Sequence, residues 1–360
     1  MPMKNATNST WPIPMQATVP ERDKKSGVCY AVTDDGLELP VIDITHPAFE
    51  LRLSEAEISA VIDDTLRSMQ ASASLPAETA RGLVEGSLLL RGVRESAGTF
   101  MSGMMTYLHR LGPENLGSGY ANDVDRRFAA SMMPLSFRLR LRDMARLLAD
   151  GLIEALDSSP RGNDIELISI AGGPAMESLN ALILVRKSRP ELLRERAIGL
   201  RILDIDSTGP SFGARATQAL VAEGAPLCGQ ELAVEHVYYD WNDTEKLRGI
   251  FAGFSSTTIA AGSTEGGLFD YGSDEVIVRN LSVLREVSPA GFFLVGSVVR
   301  DVESLDPRLR MTAGIKGRPA IRYLGEKAFH RLASEAGWRV DMVRHSTAHH
   351  VIRLKKQQDG

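Results

Sequence analysis

Between Asp157 and Gly162 the apolar residues of this chain change their spacing, and that switch limits the fold more than any other feature. Short apolar runs at 165–170, 200–205, 234–239, 257–261, 292–297 and 350–354 then alternate with stretches of helical periodicity. The helical stretches run from the turn after the first run to Arg186, and over 214–223, 243–251, about 273–286 and about 325–336. Parallel neighbours need a crossover between them, so strands separated by helices predict an α/β protein with a parallel sheet and helices on both faces.

Before the switch the pattern is helical. Ser54 with Glu57 makes a capping-box signature, and Ile58, Val61, Ile62, Leu66 and Met69 follow at helical spacing, so a helix is expected over 54–73. Further helices are expected at 77–92, 93–111 and 121–157, interrupted by the Gly/Pro/Asn stretch 112–119. Residues 1–36, rich in Ser, Thr, Asn, Pro and Lys, read as a flexible arm or lid. With 360 residues and domains of roughly 150, the division expected is an arm (1–36), a helical cap domain (37–158) and an α/β domain (159–360).

Composition excludes several classes of function. With 43% apolar and 24% charged residues the chain is neither disordered nor fibrous. Its net charge of -5 lacks the positive field that nucleic acid or an anionic membrane demands, so neither partner is expected. Cys29 and Cys228 are too far apart for a metal motif or a disulfide framework, which points to a reducing, cytoplasmic setting. The N-terminus has no signal-peptide pattern, and no apolar run is long enough to span a bilayer.

The segment Glu166-Leu-Ile-Ser-Ile-Ala-Gly-Gly-Pro-Ala-Met-Glu-Ser178 joins a buried strand to a helix through small residues. Such a turn lets the backbone approach a ligand and points a helix N-terminus at it. The second strand ends in Asp204-Ile-Asp206, where a carboxylate is placed to accept both hydroxyls of a ribose. The third runs into Tyr239-Asp240-Trp241, and Leu284-Arg-Glu-Val-Ser-Pro-Ala-Gly-Phe-Phe-Leu-Val-Gly296 gives a helix, a Pro/Gly turn and a fifth strand. Glu335-Ala-Gly-Trp338 closes a helix with a Gly turn, and 350–354 supplies a last strand.

In this order the motifs resemble those of the class I S-adenosylmethionine-dependent methyltransferase family, over about residues 160–355. The resemblance implies a Rossmann-like, seven-stranded, mostly parallel sheet of order 3-2-1-4-5-7-6 with strand seven antiparallel, and S-adenosyl-L-methionine as cofactor. By position, Ala171, Gly173 and Ala175 stand where the family has its three glycines, with Gly172 between the first two. Asp204 would hold the ribose, Asp240 would meet the adenine amine and Trp241 would pack on the ring. Ser169 stands where the family usually has an acid. The Gly-x-Gly-x-x-Gly of a dinucleotide site is absent.

The loop after strand four, Ser263-Thr-Glu-Gly-Gly-Leu-Phe-Asp-Tyr-Gly272, faces the crevice beyond the strand ends, which makes Glu265, Asp270 and Tyr271 the catalytic candidates. The function expected is methyl transfer to a small molecule by in-line displacement, with alignment and a dry pocket as the main contributions and no metal required. One alternative is cyclisation of the cofactor to azetidine-2-carboxylate and methylthioadenosine, with Tyr30, Tyr120 or Tyr271 near the sulfonium. Another is a non-catalytic binding scaffold or sensor. His46, His345, His349 and His350 are read as turn and strand residues, Met101, Met104, Met105, Met132 and Met133 as core, and Arg126 and Arg127 as surface ion-pair partners.

Overall fold

The computed structural model describes residues 18–310 and 319–358. Its first strands, β1 (Tyr30–Val32) and β2 (Glu38–Pro40), pair antiparallel. This part of the expected arm is anchored: Asp34 accepts a 2.8 Å hydrogen bond from Ser211 and pairs with Arg215, and Ala31 and Leu39 are buried. A polar composition concealed the ribbon because only its inward residues are apolar. Residues 1–17 of the arm lie outside the described residues.

The helices that follow are α1 (Glu55–Ala73), α2 (Ala77–Gly86), α3 (Leu88–Glu95), α4 (Gly103–Arg110), α5 (Asp123–Ala129) and α6 (Met132–Asp157). Ser54 and Glu57 form the reciprocal cap of α1. Two of the longer expected helices are interrupted at residues whose side chains bind backbone N–H groups, Ser87 capping α3 and Ser102 capping α4. The third starts at the box of Asn122 with Asp125 and breaks at Ala130–Ser131, where the Ser131 side chain does not cap α6.

The remainder alternates as β3 (Ile165–Ile170), α7 (Met176–Ser188), β4 (Ile198–Asp204), α8 (Thr208–Val221), β5 (Leu232–Tyr238), α9 (Glu245–Ala252), β6 (Ile259–Thr264), α10 (Leu268–Tyr271), α11 (Asp274–Val287), β7 (Phe293–Val299), α12 (Pro307–Arg310), α13 (Gly325–Glu335), β8 (Trp338–His345) and β9 (His349–Lys356). One sheet runs β5-β4-β3-β6-β7-β9-β8, with β9 antiparallel to both neighbours and the other pairs parallel. This is the 3-2-1-4-5-7-6 order of the Rossmann-like methyltransferase fold.

Period-two alternation divides the strands between two cores. Ile165 and Leu167 of β3 join one apolar cluster with α6, α7 and α8, and Ile168 and Ile170 join the other with α9, α11 and α13. Helix α6 packs on α7, β6, β7 and β9, so it forms a layer of the α/β sandwich, and the expected boundary at 158 separates no cores. Helix α8 starts at Thr208, six residues before the expected 214. Its Gly209 and Gly213, four apart, let it lie on the backbone of Gly173 and Pro174, where a Cβ would approach to 2.8 and 2.7 Å. Gly-Pro-Ser-Phe-Gly reads as loop by composition, yet it is close packing that uses the glycines.

Candidate functional site

One cavity opens at the C-terminal ends of β3, β4 and β6. It is lined by Ala171, Gly172, Gly173, Asp204, Asp206, Trp241, Glu265, Gly266, Gly267, Asp270 and Tyr271, with Phe100–Gly103, Arg110 and Arg140 from the helical half. Eight of the ten residues singled out by sequence share this wall. Ala175 is fully buried behind it as the N-cap of α7, and Asp240 stands outside, accepting from the backbone and side-chain nitrogens of Asn242 at 2.9 and 2.8 Å.

The turn after β3 carries three left-handed residues, Ala171 (φ 51°), Gly173 (φ 59°) and Ala175 (φ 54°). They coincide with the three positions aligned with glycines, so the backbone keeps the glycine-type path and the two alanines bear strain of about 1–2 kcal/mol each. Gly173 donates its N–H to Asp204 Oδ2 at 3.2 Å, and Asp206 donates to Oδ1 at 3.0 Å. Burial in the cavity wall nevertheless pushes the Asp204 carboxyl up to about 6.

Ser169 does not leave its place without an acid. Its hydroxyl donates at 2.6 Å to Glu177 Oε1, which also accepts from Ser263 at 2.8 Å. The Glu177 carboxylate therefore fills the space beside the turn from helix α7. Burial, reinforced by the charge of Glu265, raises its carboxyl to about 7. Its Oε2 has no partner.

The acids of the loop after β6 are engaged by arginines. Glu265 Oε1 takes Arg110 Nη2 at 2.8 Å and Arg140 Nε at 3.3 Å, and Asp270 Oδ2 takes Arg140 Nη1 at 3.1 Å. Arg140 also meets His349 Nε2 at 3.3 Å. Burial first, then the Arg140 charge, keeps the His349 imidazole neutral, far below its ordinary range. Burial lifts Asp270 to about 6 against the opposing pull of Arg140. Tyr271, raised by burial to about 12, lines the cavity together with Met101 of the helical half. Four carboxylates and two guanidinium groups thus line the cavity, which leaves negative charge in excess.

Sequence reading missed Arg110, Arg140, Glu177 and His349. Arg140 has a visible signal, being on the apolar face of α6 among Phe137, Leu141 and Met144, where a charge needs a partner. His349 has none, since only the antiparallel direction of β9 brings its first residue to the crevice end of β7. His350 faces the opposite core, where its Nδ1 lies 3.0 Å from His345 Nδ1 and near Glu326. Arg126 pairs with Asp123 at the surface, and neither Tyr30 nor Tyr120 lines the cavity.

The cavity encloses about 60 Å³, against the roughly 300–1,000 Å³ of small-molecule pockets. The reason is visible: Gly103, at the start of α4, rests on Gly173, each so close that a Cβ on Gly103 would be 2.5 Å from Gly173 Cα.

No protein-family model matches the chain, and no curated protein matches it. Among solved structures it is similar to a possible exported protein from Bordetella parapertussis, with TM-score 0.53, 16% identity, and 85% of this chain and 98% of that one covered. It is also similar to a DUF574 family protein from Streptomyces avermitilis, with TM-score 0.48, 17% identity and coverage of 73% and 99%. An O-methyltransferase family protein from Burkholderia thailandensis gives TM-score 0.42, 12% identity and coverage of 92% and 81%. At such identities the likeness is one of fold. Among the described residues no helix is long and apolar enough to cross a membrane.

Proposed function

We propose that this chain is an S-adenosylmethionine-dependent enzyme that transfers a methyl group to a small molecule. The observation that carries the reading is the placement of Asp204 beside the left-handed turn: its carboxylate accepts the Gly173 N–H, and both line one cavity with Trp241. Asp204 would hold the ribose hydroxyls, Trp241 would cover the adenine, and the turn 171–173 would receive the amino-acid end. The fit extends to charge, because a sulfonium and an ammonium suit a wall whose carboxylates outnumber its guanidinium groups and in which Glu265 Oε2 and Asp270 Oδ1 have no partner.

When bound, the cofactor supplies an electrophilic methyl carbon on a positively charged sulfur. The protein's own task is alignment and exclusion of water. Arg110 and Arg140 hold Glu265 and Asp270 in fixed positions, so these acids act as oriented charges rather than free bases. Withdrawal of Phe100–Gly103 from the turn would admit the cofactor, and its return against the bound molecule, short of the Gly173 contact, would dry the site and help set the acceptor in line.

Calorimetry with S-adenosylmethionine and S-adenosylhomocysteine, followed by product analysis with and without small nucleophilic acceptors, tests the reading. Binding with S-adenosylhomocysteine formed only when an acceptor is present is the expected result. Methylthioadenosine released without acceptor would replace methyl transfer by cyclisation, tight binding without any turnover would leave a sensor, and absence of binding would reject the cofactor.

A further inference from the structure

A second cavity, of about 260 Å³, shares Arg110 with the first. Its walls come from the segment 42–51 after β2, the loop 110–115 after α4, and Arg138, Leu141 and Arg142 of α6. Ile42, Ile44, Phe49 and Leu141 give it an apolar side facing a polar one that holds Arg110, Asn115, Arg138 and Arg142, and the volume lies just under the roughly 300–1,000 Å³ of small-molecule sites.

Arg138 is out of place in such a wall. Its Nη2 reaches only the Ala129 carbonyl at 3.3 Å, its Nε is buried without a partner, and among the described residues no carboxylate pairs with it. The glutamates that line the cavity do not compensate: Glu50 and Glu114 are exposed, and Glu50 is engaged by Arg52 at 2.7 Å. Arg110 adds a second buried Nε with no partner. Burial alone draws the Arg138 guanidinium down to about 10. Gly112, opposite, has no side chain to cover it, and a Cβ there would come within 3.0 Å of Nη1. Arg138 is partly exposed, but a partly desolvated cation with no counter-charge carries a cost that a bound anion offsets.

We propose that this cavity binds a small organic acid, its carboxylate on Arg138 and its apolar body against Ile42, Ile44, Phe49 and Leu141. A guanidinium with free N–H groups favours a planar, two-oxygen acceptor, and the apolar walls select a hydrocarbon or aromatic body over an inorganic ion. The site does not depend on the methyl-transfer reading.

The test uses the full chain with hexanoate, benzoate and 3-phenylpropionate, their primary amides, and inorganic phosphate, read by saturation-transfer NMR and calorimetry. The acids are expected to bind, with the amides and phosphate weaker by about tenfold or more, the effect of losing one charge-assisted pair. Arg138→Gln should lose acid binding to the same extent, and Arg138→Lys should recover part of it. Acids that do not bind, amides or phosphate that bind as well as the acids, or a folded Arg138→Gln protein with unchanged affinity would each overturn the proposal. Should Arg138→Gln not fold, the contrast between acid and amide on the unaltered protein decides.

Discussion

Asp204 sits between two demands. Hydrogen bonds from Gly173 and Asp206 favour its charged form, yet burial outweighs them and lifts it to about 6. If it holds a ribose it does so as the carboxylate, which accepts from both hydroxyls. Cofactor affinity is therefore expected to be full above pH 6 and to fall about tenfold for each pH unit below it, as the free protein takes up the competing proton. Asp204→Ala should weaken binding by about 1–3 kcal/mol at pH 7 and reduce that slope. Calorimetric dissociation constants unaffected by the substitution would remove Asp204 from the ribose. Ala171 gives a second prediction. Replacing alanine by glycine ordinarily costs about 0.5–1 kcal/mol, but Ala171 holds φ 51°. Ala171→Gly should leave stability to urea unchanged or raise it by about 1 kcal/mol, and a clear loss would mean that no strain resides there.

At the level of elements, the contact between α4 and the turn after β3 decides whether the site is open. Gly103 tolerates no side chain in the closed arrangement, because a Cβ would meet the Gly173 backbone rather than a flexible side chain. Gly103→Val should therefore hold the Phe100–Gly103 segment away from the turn. The expected reading is faster hydrogen exchange over residues 99–106 and a stability loss of about 1–3 kcal/mol, typical of overpacking. Unchanged exchange would mean that the backbone yields elsewhere. This contact also marks where sequence reading stops. Strand β3 was legible to the residue, because the four apolar residues of Ile165–Ile170, broken only by Glu166 and Ser169, lie between Asp164 and a small-residue turn. The sheet order was implied by the family resemblance and not by the residues alone. The Gly103 contact with Gly173 joins residues 70 positions apart through backbone alone and leaves no periodicity to read. Glu177 was hidden for a related reason: it belongs to a helix in sequence, and only the approach of Ser169 and Ser263 makes it part of the turn.

Over the whole molecule, two sets of buried titrating groups pull stability in opposite directions. Glu177, raised from 4.5 to about 7, and Asp204 and Asp270, raised from 3.8 to about 6, keep their protons in the folded state after the unfolded chain has lost them. Their contribution is complete below about pH 4 and declines as pH rises to 7. His109 and His350, lowered from 6.5 to about 4, and His349, lowered further, behave in the reverse sense. The unfolded chain protonates them first, so their contribution is complete above pH 6.5 and declines on acidification. The slopes overlap between roughly pH 4.5 and 6.5 and offset each other, so the unfolding free energy of the unaltered protein should vary little there. Glu177→Gln retains an acceptor for Ser169 and Ser263 but has no proton to hold. It removes one acidic slope and exposes the histidine slope beneath it. Relative to the unaltered protein, the variant should lose up to about 3 kcal/mol more between pH 7 and pH 4.5, the equivalent of its shift. Urea unfolding at half-unit steps measures the difference. Parallel curves would show that Glu177 ionises in the folded protein as readily as in the unfolded chain, supported by the two serine hydroxyls despite its burial.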